Sequence, residues 1–428
     1  MSINKFLKKL FYKKDNTITC RTELTLAGIK FKFYNPQLLK YPDYTNALNK
    51  VRKKFQNKDK IRVAFIVNEN SKWNAQELYR LMAESDHFEP FVLVTLLYDV
   101  HIGKDKTRNN IQENYDFFLH QGINVFKAYD ENKHEYINLE KFSPDIVFYQ
   151  QPWGIADEQN IDKISQTALT CYYLYGVSLF DTDIEDLIFH KKLFRNFLQH
   201  ENSKNGVKIE LKKNEKVVGI PKLDVYKNIT IQSQNTNTII YSCHFGYSNK
   251  NSINIGTFPW SGEAMQKFAL KHPEYKWIFK PHPNLRNTLY QDKRYGKKFA
   301  DKYFETWKAI GEIKEKGNYF KEFANSDMLI TDSCSFLLEY MPTQKPIIRF
   351  TNKNSKVKFS DFGKKIAQGL YQVYNFQDFV NKFNKIMKNN NDPIAQKRKE
   401  LAKTIIGKTS ASQKIIDELI NIAKTTTN

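Results

Sequence analysis

Short apolar runs that break off into polar residues recur along this chain, and their alternation with helical patterns narrows the fold more than any other feature. Ile61 to Val67 (IRVAFIV) and Phe91 to Leu97 (FVLVTLL) read as strands buried on both faces. Asn74 to Ser85 and the stretch around Asn110 to His120 carry helical spacing. Ile123 to Phe126, Ile146 to Tyr149 and Ala168 to Leu174 add shorter strands, Asp181 to His200 look helical, and Glu201 to Lys216 look irregular. A second series follows, with strands at Thr238 to Ser242, Trp277 to Phe279, Met328 to Thr331, Pro346 to Phe350 and Leu370 to Val373. Helical patterns separate them at Ser261 to Leu270, Lys297 to Ile310 and Ser335 to Met341, and two more close the chain at Phe376 to Lys388 and Ser410 to Ala423. Such alternation predicts an α/β class built from βαβ units with parallel sheets.

At 428 residues the chain exceeds one ordinary core, so two domains are expected. Val217 to Asp224 (VVGIPKLD) contains a Gly and a Pro and reads as the connection between them. The expected division is a basic helical N-terminal extension at 1–58, a Rossmann-like domain at 59–216, and a second one with terminal helices at 217–428. In residues 1–16, Ile3, Phe6, Leu7, Leu10 and Phe11 share a helical face ringed by Lys5, Lys8, Lys9, Lys13 and Lys14. That is the pattern of an interfacial helix on an anionic inner-membrane surface, and equally of a helix packed on its own protein.

No run of about 18 uncharged apolar residues exists, so no transmembrane helix is predicted. Lysines interrupt the N-terminal apolar residues, so no secretory signal is predicted either. Cys20, Cys171, Cys243 and Cys334 lack metal-ligand spacing, which points to a reducing cytoplasm and to no metal. The expected location is cytoplasmic, peripheral to the inner face of the membrane. The net charge of +21 suits an anionic partner, and it also suits a chain that is rich in lysine throughout. Neither a zinc finger nor an aromatic RNA-binding signature is present, so nucleic acid is not an expected partner.

The stretch Lys276 to Phe350 concentrates the chemistry. One strand runs into Lys280-Pro281-His282-Pro283, with Arg286 close behind, and another runs into Thr331-Asp332-Ser333-Cys334-Ser335. Ligands in open α/β sheets bind beyond the carboxyl ends of strands, where helix N-termini also collect. His282 beside Lys280 and Arg286 suits a diphosphate, or else caps a turn stiffened by two prolines. Ser333 and Ser335 suit a phosphate, Asp332 either joins them or caps the helix, and Glu339 lies one turn beyond Ser335. His244 and Gly246, in YSCHFGYS after the first strand of the second series, are further cleft candidates.

These motifs resemble the CDP-glycerol glycerophosphotransferases of teichoic-acid and capsule synthesis, which are two-domain GT-B enzymes. The resemblance rests on VGIPKLD (Val218 to Asp224), on His282-Pro283, and on ITDSCSFLLEY (Ile330 to Tyr340) followed by KPIIRF, about 130 residues in all. It implies a GT-B fold of two Rossmann-like domains facing a cleft, the first binding acceptor and the second the nucleotide donor. It places Ser335 and Glu339 on the family's donor-binding serine and acid, with the acid holding ribose or glycerol hydroxyls. It also implies a His-Gly-Thr base after the last strand of the first domain, where this chain has Leu174-Tyr175-Gly176-Val177. Asp99 and His101 are the substitute bases, and Tyr175 is a contact for acceptor or nucleotide. The implied activity transfers a polyol phosphate from CDP-glycerol to a polysaccharide or lipid-linked acceptor and releases CMP, with no cofactor. A GT-B glycosyltransferase that uses a nucleotide sugar is the alternative.

Overall fold

The computed structural model describes residues 11–16, 21–26, 29–35, 37, 39–98, 111–177, 179–180, 188–201, 213–232, 236–248, 253–315 and 317–425. It opens with an antiparallel sheet of β1 (Phe11–Asn16), β2 (Arg21–Leu26) and β3 (Ile29–Tyr34). Residues 1–10 of the expected N-terminal helix lie outside the described residues, and the remainder is strand rather than helix. The backbone register pairs Phe11 with Leu26 and Asn16 with Arg21, so these residues bond to a neighbouring strand. Helix α1 (Thr45–Gln56) follows.

The first parallel sheet contains β4 (Ile61–Val67), β5 (Phe88–Val94) and β6 (Val125–Lys127). A two-residue hairpin, β7 (Tyr129–Asp130) and β8 (Glu135–Tyr136), leads on to β9 (Ile146–Tyr149), β10 (Leu169–Tyr173), β11 (Arg195–Leu198) and β12 (Glu215–Val217). The strand order is β12-β11-β10-β9-β4-β5-β6. Along β4, Val63, Phe65 and Val67 enter one hydrophobic core while Ala64 and Ile66 enter the core on the opposite face. This double burial is why the strand lacks polar alternation. Helices α2 (Gln76–Ala83) and α3 (Ile111–Leu119) cover the first of these faces. The helix expected over Asp181 to His200 is, in its described part, a short helix at Ile188–Lys192 and then β11. A short apolar run fits either state by periodicity, and pairing of Cys171 with Arg195 and Tyr173 with Phe197 selects the strand. The stretch expected to be irregular ends in β12 for the same reason.

The second parallel sheet contains β13 (Thr238–Ser242), β14 (Lys276–Phe279), β15 (Glu312–Ile313), β16 (Met328–Thr331), β17 (Ile347–Phe350) and β18 (Tyr371–Val373), in the order β15-β14-β13-β16-β17-β18. Its helices include α4 (Phe258–Lys271), α5 (Leu285–Gln291), α6 (Gly296–Ile310) and α7 (Ser335–Tyr340). Helix α8 (Ala411–Lys424) returns to the first sheet, where Ile415, Ile416, Leu419 and Ile422 are buried beside β4 residues. Asp224, in the link between the sheets, anchors its start by accepting from Ala411 N at 2.9 Å and Ser412 N at 2.7 Å. Arg195 and Lys216 pair with Glu418 on the same helix. Among the described residues no helix is long and apolar enough to cross a membrane.

Candidate active site

The register of β13 against β14 places Tyr241 beside Phe279, and the pairing continues past both strand ends. Lys280 N donates to Tyr241 O at 2.8 Å, and His282 N donates to Cys243 O at 3.0 Å. His244 and His282 are thereby brought together, with ring centroids 5.1 Å apart, and Phe245 packs 4.5 Å from the His282 ring. Each imidazole accepts a backbone N–H at Nδ1, from Gly246 at 3.0 Å and from Asn284 at 3.1 Å. An accepting Nδ1 leaves the proton on Nε2, so both rings present a neutral N–H donor. Burial, reinforced by the charge of His282, pushes His244 down to about 3, and burial pushes His282 down to about 4. Gly246 is required here because a Cβ would lie 2.1 Å from Ile253 O.

These depressed values predict acid sensitivity. Between pH 6.5 and about 4 the unfolded chain takes up protons on His244 and His282 that the folded chain refuses. Stability is therefore full above pH 6.5 and is lost as pH falls, by about 1.4 kcal/mol per pH unit for each histidine. Urea midpoints at pH 7.5 and pH 5 should differ less in His244→Asn and His282→Asn than in the wild type.

Asp332, expected at the ligand or at a helix cap, does neither. It is buried, its Oδ1 accepts from His244 N at 2.6 Å, and its Oδ2 accepts from Thr257 N at 2.6 Å and Thr257 Oγ1 at 2.8 Å. Burial pushes its carboxyl up to about 6 against the pull of these bonds. Its role is to fix the His244 loop and the start of α4. Ser333, Cys334 and Ser335 are half-buried at the β16–α7 turn. Nearby at the end of β17 lies Arg349, which the sequence reading passed over inside KPIIRF. It is 6% exposed, stands 4.5 Å over the Phe359 ring and donates from Nη1 to Gln372 Oε1 at 3.0 Å, and among the described residues its Nε has no partner. Burial pulls its guanidinium down to about 10, opposed by the charges of Asp332 and others.

Glu339 is also buried, and both its oxygens are already engaged. Lys222 Nζ donates to Oε1 at 2.9 Å, and Tyr319 OH donates to Oε2. The expected contact of this acid with ligand hydroxyls is therefore replaced by contacts within the protein. Lys222 belongs to VGIPKLD, so the link segment enters the site directly. Lys280 Nζ stands 4.8 Å over the same Tyr319 ring and donates to Lys314 O at 3.2 Å. Burial pushes Lys280 down to about 8, with Glu322 and Glu339 opposing. Arg286 is turned elsewhere: its guanidinium stacks 3.9 Å over Phe304 and lies 3.6 Å from Glu315. Its position one residue into α5 sends its side chain onto α6 rather than toward the histidines.

Tyr175 follows β10 and closes the site from the first sheet. Its ring packs 6.1 Å from Trp153 and 5.5 Å from Lys72 Nζ. Burial pushes its hydroxyl up, and the charges of Glu69, Cys334 and Lys222 also act on it. Asp99 and His101 lie outside the described residues.

No protein-family model and no curated protein matches the chain by sequence. Solved structures do match by fold. UDP-GlcNAc 2-epimerase from Neisseria meningitidis, bound to UDP-GlcNAc, superposes with a TM-score of 0.53 at 13% identity, over 85% of this chain and 99% of that one. The S. aureus MnaA–UDP co-structure gives 0.53 at 13% identity, over 86% and 99%. The wall teichoic acid polymerase TagF gives 0.51 at 12% identity, over 88% and 94%. The chain has the GT-B fold of these proteins, with two Rossmann-like sheets.

Proposed function

We propose that this chain is a transferase that moves glycerol phosphate, or a related polyol phosphate, from a CDP-linked donor to a hydroxyl of a surface polysaccharide or lipid-linked acceptor, releasing CMP. The observation that carries this reading is the pairing of His282 with His244 beyond the ends of β13 and β14, with Lys280 and Lys222 both over the Tyr319 ring. Two neutral N–H donors at the end of a sheet that also carries Lys280 suit a diphosphate whose bridging oxygen gains charge as it leaves. In this reading His282 donates to the leaving phosphate, and Lys280 and Arg349 offset the charge of the diphosphate. Ser333 and Ser335 offer hydroxyls to the phosphates, and Glu339 holds Lys222 in place. The fold shared with a teichoic acid polymerase supports this reading.

The second reading, a glycosyltransferase that uses a nucleotide sugar in capsule or lipooligosaccharide synthesis, draws on the fold shared with an epimerase bound to UDP-GlcNAc. The two differ at the attacked atom, phosphorus or anomeric carbon. A donor screen separates them: envelope polysaccharide and lipid are offered as acceptor, and nucleotide release is followed with CDP-glycerol, CDP-ribitol, CMP-linked sugars and UDP-linked sugars. CMP release with the CDP-polyols is expected. Release with sugar donors alone would overturn the first reading in favour of the second.

A further inference from the structure

We infer that Glu69, at the end of β4, takes the proton from the attacking acceptor hydroxyl; this rests on the transfer reading above. An alcohol is a poor nucleophile while it keeps its proton, so a positioned base must stand on the acceptor side of the cleft. Glu69 is held in such a place by its main chain. Asn68 N and Glu69 N donate to Gln150 Oε1 at 2.9 and 3.1 Å, and Gln150 Nε2 donates back to Glu69 O at 2.9 Å. A side chain from just past β9 thus sets the backbone of the residues that follow β4.

The carboxylate itself is half committed. Lys72 Nζ donates to Oε1 at 2.7 Å and to Gln151 Oε1 at 3.0 Å, and it also faces the Tyr175 ring. Among the described residues no group donates to Oε2, and the side chain is 32% exposed. One oxygen is therefore oriented and the other is available to a ligand. The charges that reach the Tyr175 hydroxyl are those of Glu69, Cys334 and Lys222. Cys334 lies in the turn before α7, and Lys222 is the partner of Glu339. The two sides are also tied physically, because Asn228 Nδ2, just past the Lys222 segment, donates to Glu77 on α2 at 3.3 Å. Glu69 is thus a carboxylate at the end of β4 whose partner Lys72 stands against the Tyr175 ring.

The step balances without a further reactant. The acceptor O–H proton moves to Glu69 Oε2 while the hydroxyl oxygen forms its bond to the β-phosphorus. The bond from that phosphorus to the bridging oxygen breaks, and its electron pair leaves on the α-phosphate of CMP. Glu69 returns its proton to water before the next turnover.

The test compares wild type with Glu69→Gln, which keeps the main-chain bonds to Gln150. Titration calorimetry with CDP-glycerol and CMP release onto envelope acceptor are measured on both. The variant is expected to bind CDP-glycerol within about twofold of wild type and to release CMP at least about 100-fold more slowly. It should also lose the acid limb of the kcat–pH profile, and Glu69→Asp should restore part of both. A purely structural Glu69 would lower donor affinity and thermal stability and leave that limb in place. If the wild type binds no CDP-glycerol, the transfer reading fails first. If it binds and transfers while Glu69→Gln transfers equally well, only the assignment of Glu69 is overturned.

Discussion

His282→Ala is expected to slow nucleotide release by about two to three orders of magnitude while changing donor affinity much less. The argument follows from its surroundings. Asn284 N occupies Nδ1, so Nε2–H is the functional end of the ring. With the ring held neutral by burial, the group acts as a fixed dipole rather than a cation at neutral pH. A dipole aimed at an oxygen that gains charge stabilises the transition state more than the bound donor, so the loss falls on kcat. His282→Gln, which keeps a side-chain N–H, should recover part of the rate. Full turnover by His282→Ala, measured as CMP release at saturating CDP-glycerol, would remove the histidine from the mechanism.

The second large effect is on stability. Glu339→Ala leaves Lys222 without its counter-ion and Tyr319 without its acceptor, and breaking such a buried pair costs on the order of 3 kcal/mol. The lower end of the usual range applies because the Lys222 side chain keeps 20% exposure. The melting temperature should fall by roughly 6 to 12 °C for a unit of this size. Lys222→Met alone should also destabilise, since it strands a carboxylate that is 0% exposed. The double variant Lys222→Met, Glu339→Leu should regain most of the loss, giving a large coupling energy in a double-mutant cycle, yet remain inactive. Additive losses would show that the two residues do not act as a pair.

Much of the site was legible because strand ends announce themselves. His282 and Lys280 follow an apolar run directly, and Ser333 to Ser335 follow another, so the rule for open α/β sheets singles them out as candidates. Lys222 was visible as part of VGIPKLD but carried no stated role, because nothing local reveals that a link segment folds back onto α7. Arg349 was hidden for a different reason: inside a buried strand an arginine reads as packing until its neighbours are known. Asp332 and Glu339 were placed correctly along the chain but misread in direction. A carboxylate near a phosphate-friendly turn looks like a ligand contact, and only coordinates reveal that its oxygens are already bonded to backbone or to Lys222. Arg286 erred in the same way, since helical phase at the first turn of α5 decides where it points.

The amino-acid sequence by itself determined the α/β class and the two series of parallel strands, and it singled out Lys276 to Phe350 as the candidate stretch. Those features depend on short-range patterning, in which the period of apolar residues and the polar break after each strand are written locally. The tertiary structure alone decided which of those residues meet. Pairing of β13 with β14 set His244 against His282, the register of β10 with β11 turned a helical-looking stretch into strand, and the return of α8 fastened the chain's end to the first sheet. It also tied Asn228, past the Lys222 segment, to Glu77 on α2, 151 positions apart. Contacts at such separations depend on sheet order and crossover, which no local pattern encodes.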